Sequence, residues 1–243
     1  MFSNYFKKIE KDILKKAKSA TKGGAKGGKG ASGKSLKKTS VPKHDDLKTI
    51  LSNIIPSNLK LDSAKLIDPS GYSPEGIDFI AYRDICRDMI NMMDGYVPCD
   101  LVHGTYHITD NLNKENLNDA LTRVLLTKKL NRYSETESAT PPIPAFVIAY
   151  DTDIKFSDLK ILIIDHYMAK SIDNISEVDI IAILGKGVIV KNWREKRSYI
   201  AIETGKDTLM WFFILMNEYL DIARGENFDL RSYVKNAENY NEY

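Results

Sequence analysis

The stretch Gly71-Tyr-Ser-Pro-Glu-Gly-Ile-Asp-Phe-Ile-Ala-Tyr82 decides how this chain is read. Its first six residues are turn chemistry, and Ile77 to Tyr82 is an apolar run of strand length. Asp78 stands at the mouth of that strand. One carboxylate in such a place is half of a metal site, and the other half has to come from a neighbouring strand, where residues two apart point to the same face. The next strand, Val97 to Thr109, ends in Tyr106-His107-Ile108-Thr109, a run without a carboxylate.

On the N-terminal side, Asp45-Asp46 opens a helix whose Leu47, Ile50, Leu51, Ile54 and Ile55 form one stripe, closed by Pro56. A strand is expected over Leu59 to Asp68. On the C-terminal side, Arg83 to Met93 reads as a helix burying Ile85, Met89, Met92 and Met93. Lys114 to Leu130 is a helix with Leu117, Leu121, Val124 and Leu125 inward. Strands are expected at Ala145 to Tyr150 and Lys160 to Asp165. A hairpin turns at Gly185-Lys-Gly187 between Ile180–Leu184 and Val188–Val190. One more strand, Tyr199 to Glu203, precedes Leu209 to Ala223, apolar on most sides and therefore a core helix. Strands alternating with helices place the chain in the α/β class.

Charge is divided unevenly. Residues 1–43 carry 13 Lys against Glu10 and Asp12, a local +11 within a total of +2, so the other 200 residues sum to −9. The apolar residues Phe6, Ile9, Ile13 and Ala17 recur at helical spacing, which predicts an amphipathic helix over 1–19. Its other face carries Lys7, Lys8, Lys11, Lys15 and Lys18. Such a helix can lie on an anionic membrane, track nucleic acid, dock on a partner, or pack on its own body.

Residues 20–43 hold Gly, Ser, Ala and Lys with almost nothing to bury, the composition of a disordered cationic linker bearing Lys22, Lys26, Lys29, Lys34, Lys37 and Lys38. Within it, Gly28 to Ser35 matches a phosphate-loop pattern, yet no buried strand precedes it and no helix follows. An α/β domain is expected over 44–226 and a polar tail over 227–243. The longest apolar run, Leu209 to Met216, is eight residues, far short of the ~20 a membrane span needs. Two cysteines, Cys86 and Cys99, make no disulfide framework or zinc site, which favours a reducing, cytoplasmic setting.

The segments Ile55-Pro56, Asp68, Gly71, Ser73 and Asp78-Phe-Ile-Ala-Tyr82, with Pro98-Cys-Asp100-Leu-Val102 and Leu112 as flanks of the next strand, resemble the restriction-endonuclease-like core of the PD-(D/E)XK superfamily. More narrowly they are similar to an uncharacterised prokaryotic and phage domain family with that fold. The resemblance covers roughly residues 45–225; Ile175 to Gly187 and the helix near Trp211 carry it less specifically. It implies a mixed central sheet flanked by helices, and a phage or mobile-element protein working in a bacterial host. Aligned on Pro98 and Leu112, His107 takes the place of the family's Glu and Thr109 that of its Lys.

Metal-dependent phosphodiester cleavage needs two carboxylates on Mg²⁺ and a lysine to position water and offset charge. Imidazole is a poor Mg²⁺ ligand and threonine is neutral, so the implied site, Asp78, Asp100 and His107, is degenerate. No cofactor is then expected, with Mg²⁺ or Mn²⁺ on Asp78 and Asp100 only if the site is live: Lys114 or Lys128 could stand in for the missing lysine, or Asp78, Asp100 and His107 could hold a softer divalent metal such as Mn²⁺ or Zn²⁺. A plainer reading has Asp78 capping a turn and His107 packing under the helix after Asn113. His166 reads as a structural residue at a strand end, and Trp193 to Arg197 beside Lys191 as a short basic loop. Three functions remain open: a nucleic-acid-associated protein holding phosphates through its arm, a protein-binding inhibitor such as a counter-defence factor using the acidic body, and an active nuclease with a relocated lysine.

Overall fold

The computed structural model describes residues 2–23, 43–85, 88–132, 141–220 and 241–242. In chain order its elements are α1 (Phe2–Gly23), α2 (Lys43–Ile54), β1 (Lys60–Asp62), β2 (Lys65–Ile67), β3 (Phe79–Tyr82), α3 (Met89–Met92), β4 (Tyr96–Pro98) and β5 (Val102–Asn111). There follow α4 (Lys114–Lys128), β6 (Ala145–Asp151), α5 (Phe156–Ala169), β7 (Ile180–Ile183), β8 (Gly187–Lys191), β9 (Tyr199–Glu203), α6 (Thr208–Tyr219) and the two-residue β10 (Asn241–Glu242).

A mixed sheet runs in the order β1-β3-β5-β6-β7-β8-β9-β10, and β2 pairs with β4 in a second, two-stranded sheet. Within the larger sheet only the steps from β5 to β6 and from β6 to β7 are parallel, and β2 is also parallel to β4. A parallel step requires a crossover, and α4 and α5 supply the two. Side chains alternate across β6, which fixes the layers. Ala145, Val147 and Ala149 pack beneath α4 and α5 with Leu117, Leu121, Leu159 and Ile163. Phe146, Ile148 and Tyr150 face the other way, into a core shared with α1, α2 and α6.

Four elements differ from the sequence expectation. Lys160 to Asp165 lies within the helix α5, not in a strand. Phe156, Leu159, Ile163 and Tyr167 are its buried positions, spaced three to four apart, while Ile161 is 57% exposed. The run Ile161-Leu-Ile-Ile looks like a buried strand in isolation, and the parallel pairing of β6 with β7 is what demands a helix there. The helix expected over Arg83 to Met93 is confined to Met89–Met92, and Ile85 and Met92 are exposed. The strand expected over Leu59 to Asp68 breaks in two where Asp62 Oδ1 takes the Ser63 amide, β1 joining β3 and β2 joining β4. A 3₁₀ turn at Cys99–Leu101 likewise interrupts the strand expected from Val97.

The N-terminal helix packs on the body. Phe6, Ile13 and Ala17 are buried in the α6 core, and Phe6 stacks near Phe213 with centroids 5.1 Å apart. α1 extends through Gly23, past the expected linker start at residue 20. The rest of that linker, the phosphate-loop pattern at 28–35 and nearly all of the tail lie outside the described residues.

Candidate functional site

Asp78 enters the site because its own backbone is already in the ladder: its amide donates to the Tyr106 carbonyl at 3.0 Å, ahead of the Phe79–Tyr106 register pair. Its carboxylate Oδ2 accepts the Ile108 amide at 2.6 Å. Arg123, on α4, brings Nη1 to 3.4 Å from the same oxygen and 3.1 Å from the Gly76 carbonyl, while its Nε pairs with Asp119 at 3.0 Å. His44 of α2 reaches Asp78 Oδ1 at 4.0 Å. The guanidinium therefore occupies the cationic position beside this carboxylate.

His107 sits next to Asp78 along β5 and is fully buried. Its Nδ1 lies 3.0 Å from the Gly76 carbonyl. A carbonyl only accepts, so Nδ1 carries the proton and donates. Burial pushes the imidazole down to about 3, with the Arg123 and Lys128 charges adding to the effect. The ring is neutral at physiological pH, and its Nε2 has no hydrogen-bond partner among the described residues.

Gly76 holds the turn open for both neighbours. Its φ is +81°, and a Cβ there would meet Arg123 Cδ at 2.5 Å. No local sequence signal marks Arg123, which lies 45 residues from Asp78 on a helix whose inward face is leucine and valine by its period.

Asp100 is not brought to this place. It lies in the 3₁₀ turn before β5, where Leu101 accepts the Arg83 amide. At about 3.3 Å per residue, Val102 and His107 alone stand roughly 16 Å apart. Thr109 is two residues beyond His107 on the same strand, with its hydroxyl on the Asn111 carbonyl. Lys128 is buried and paired with Asp179 at 2.6 Å, and Lys114 is exposed on the first turn of α4. Among the described residues no three His, Cys, Asp or Glu side chains are grouped to hold a metal ion. One carboxylate already bound by a guanidinium and an amide, beside a neutral imidazole, does not fit Mg²⁺ or Mn²⁺, which take several oxygen ligands.

The remaining candidates resolve into structural roles. His166 lies in α5, and its Nδ1 is 2.8 Å from Asn118 Oδ1, tying α5 to α4. Cys99 is buried, with its thiol pushed up to about 11 chiefly by that burial. Lys191 is buried against Glu177 at 3.0 Å, so it offers nothing to a phosphate. On α1, Lys7 pairs with Asp207 at 3.3 Å, whereas Lys8, Lys11 and Lys15 are exposed. Lys18 and Lys22 fall on the last turns of α1; Lys26, Lys29, Lys34, Lys37 and Lys38 lie outside the described residues, as does Cys86. No described helix is long and apolar enough to cross a membrane.

A mixed α/β sheet flanked by helices, with the aspartate strand, the following strand and the crossover helix in this order, is the restriction-endonuclease-like fold. Solved structures bear the fold out: the chain is similar to NucC. It matches Escherichia coli MS115-1 NucC in its cAAA-bound form with a TM-score of 0.65 at 14% identity, covering 90% of each chain. Pseudomonas aeruginosa ATCC27853 NucC, also cAAA-bound, matches with a TM-score of 0.65 at 13% identity over 96% of each chain. The apo form of the E. coli protein matches with a TM-score of 0.64 at 15% identity, over 96% of this chain and 97% of that one. No protein-family model matches the sequence, and no curated protein matches it.

Proposed function

We propose that this chain is a nucleic-acid-associated protein on a nuclease-like scaffold whose own centre does not cleave by the two-carboxylate, lysine-assisted route. The observation that carries this reading is the bond between Arg123 and Asp78, with a buried neutral His107 in place of a second carboxylate. A guanidinium 3.4 Å from the Asp78 carboxylate competes with any divalent cation there, and an uncharged Thr109 cannot offset charge on a phosphorane. The exposed lysines of α1 supply sequence-independent phosphate contacts, whose affinity falls steeply with salt.

The test is incubation of the full chain with duplex DNA, single-stranded DNA and RNA, with Mg²⁺ and with Mn²⁺, beside a binding titration over a salt series. The expected result is binding that weakens with salt and no cleavage. Cleavage lost on Asp78→Asn would overturn the reading. A second reading takes its lead from the cAAA held by two of these neighbours: this chain binds cAAA as well. Calorimetric titration with cAAA distinguishes it, saturable binding supporting it and a flat trace removing it.

A further inference from the structure

A cleft of about 680 Å³ opens between α1, the junction of β6 with α5, the β7–β8 turn and the segment before α6. Lys7, Lys155, Lys186 and Lys206 line it. A second hollow of about 640 Å³ continues from it along α1, past Lys8, Lys11 and Lys15, sharing Lys7 and Lys206. Lys7 and Lys186 are already paired, with Asp207 and Asp151. Lys8, Lys11, Lys15, Lys155 and Lys206 are exposed and have no ion-pair partner among the described residues. Glu203 is the acid on the cleft wall that has no ion pair among the described residues.

We infer that this lysine-lined cleft and the α1 row continuous with it form the seat of a nucleic-acid phosphate backbone. The inference rests on the proposed function and names its site. The body sums to −9, yet folding gathers Lys155, Lys186 and Lys206 from three separate loops onto the edge where the basic helix docks. That edge is the carboxyl end of the parallel strands β6 and β7, where open α/β sheets leave their crevice. The first turn of α5 also faces it, and its N-cap residue, Lys155, makes no side-chain capping hydrogen bond.

The spread of charge selects a polymer over a small phosphate ester. At about 1.5 Å per residue, Lys8 and Lys15 stand about 10 Å apart along α1, and Lys155 lines the adjoining cleft, outside the hollow they share. One small anion cannot touch all of these, and a chain of phosphates can. The row also leads to the aspartate: Lys16, next on α1, pairs with Asp46 of α2 at 2.7 Å, and His44 of the same helix is 4.0 Å from Asp78.

The experiment measures fluorescence anisotropy of a labelled 20-mer DNA duplex with the full chain, in a salt series starting at low salt. Two variants are compared: Lys155→Glu with Lys206→Glu, and a linker variant with Lys26, Lys29, Lys34, Lys37 and Lys38 changed to Gln. The cleft variant is expected to lose affinity by tenfold or more, and its slope of log K against log salt should drop by about 2, near 0.9 per lost phosphate contact. Unchanged thermal melting confirms that it folds, since both lysines are exposed. Binding unchanged in the cleft variant and lost in the linker variant would overturn this site while leaving the proposed function standing. No binding by the unaltered chain, even at low salt, would remove both.

Discussion

The two ring nitrogens of His107 sit in unequal settings, one on the Gly76 carbonyl and the other buried without a partner. Because burial holds its pKa near 3, the ring should stay neutral and Nδ1-protonated from pH 7 down to about pH 4.5. Long-range ¹H–¹⁵N spectra read the tautomer directly, and an imidazolium pattern at pH 5 would contradict the assignment. Its folded pKa lies below the ordinary value of 6.5, so its contribution to stability is present above that value and is lost as pH falls. Gly76→Ala places a Cβ on Arg123 at a backbone angle that favours glycine. It should cost about 1 kcal/mol or more by urea denaturation, and a loss below a few tenths would show that the turn relaxes freely. Asp78 was legible in the sequence because it opens an apolar strand. Arg123 was not, since a contact 45 residues away leaves no local pattern.

Among the elements, α1 is docked by opposing terms. Burying Phe6 and Ile13 contributes about 1.5–3 kcal/mol each, and buried Glu10 works against this. Its carboxylate takes the Gly185 and Leu209 amides, the latter at 3.0 Å in the first turn of α6, and Ser3 donates to Asp207 at 2.7 Å. Desolvation outweighs these hydrogen bonds and raises Glu10 to about 7, with Asp207 adding to the rise and Lys7 close by. A folded pKa above the ordinary value of 4.5 means that docking is strongest below about pH 4.5 and weakens as pH rises through 7. Hydrogen exchange of the α1 amides at pH 5.5 and 8 should show faster opening at pH 8 beyond the intrinsic rate. Glu10→Gln should abolish the difference, and an equal pH effect in that variant would refute the assignment. The amphipathic period of α1 was readable from its sequence, but the surface it covers was not. For α5 the reverse held: four consecutive apolar residues hid the helical period, and only the need for a crossover between parallel strands settled it.

At the scale of the molecule, two ion pairs among the described residues are buried, Lys128 with Asp179 and Lys191 with Glu177, the second also taking the Tyr199 hydroxyl at 3.1 Å. Lys191→Met strands a buried carboxylate and should cost about 3–5 kcal/mol in chemical denaturation, whereas adding Glu177→Leu should recover much of that loss. Equal instability in the single and double variants would show that packing, not charge, dominates there. Composition and period by themselves determined the α/β class, the strand carrying Asp78, the helices α1, α2, α4 and α6, and a basic N-terminus on an acidic remainder. These depend on neighbours in the chain, which a sequence displays. Only the tertiary structure decided that Asp78 belongs to Arg123, that Lys191 is buried, and that lysines from separate loops meet α1 in one cleft. Desolvation and charge act through space over a few ångströms, and which groups come within that range is set by packing.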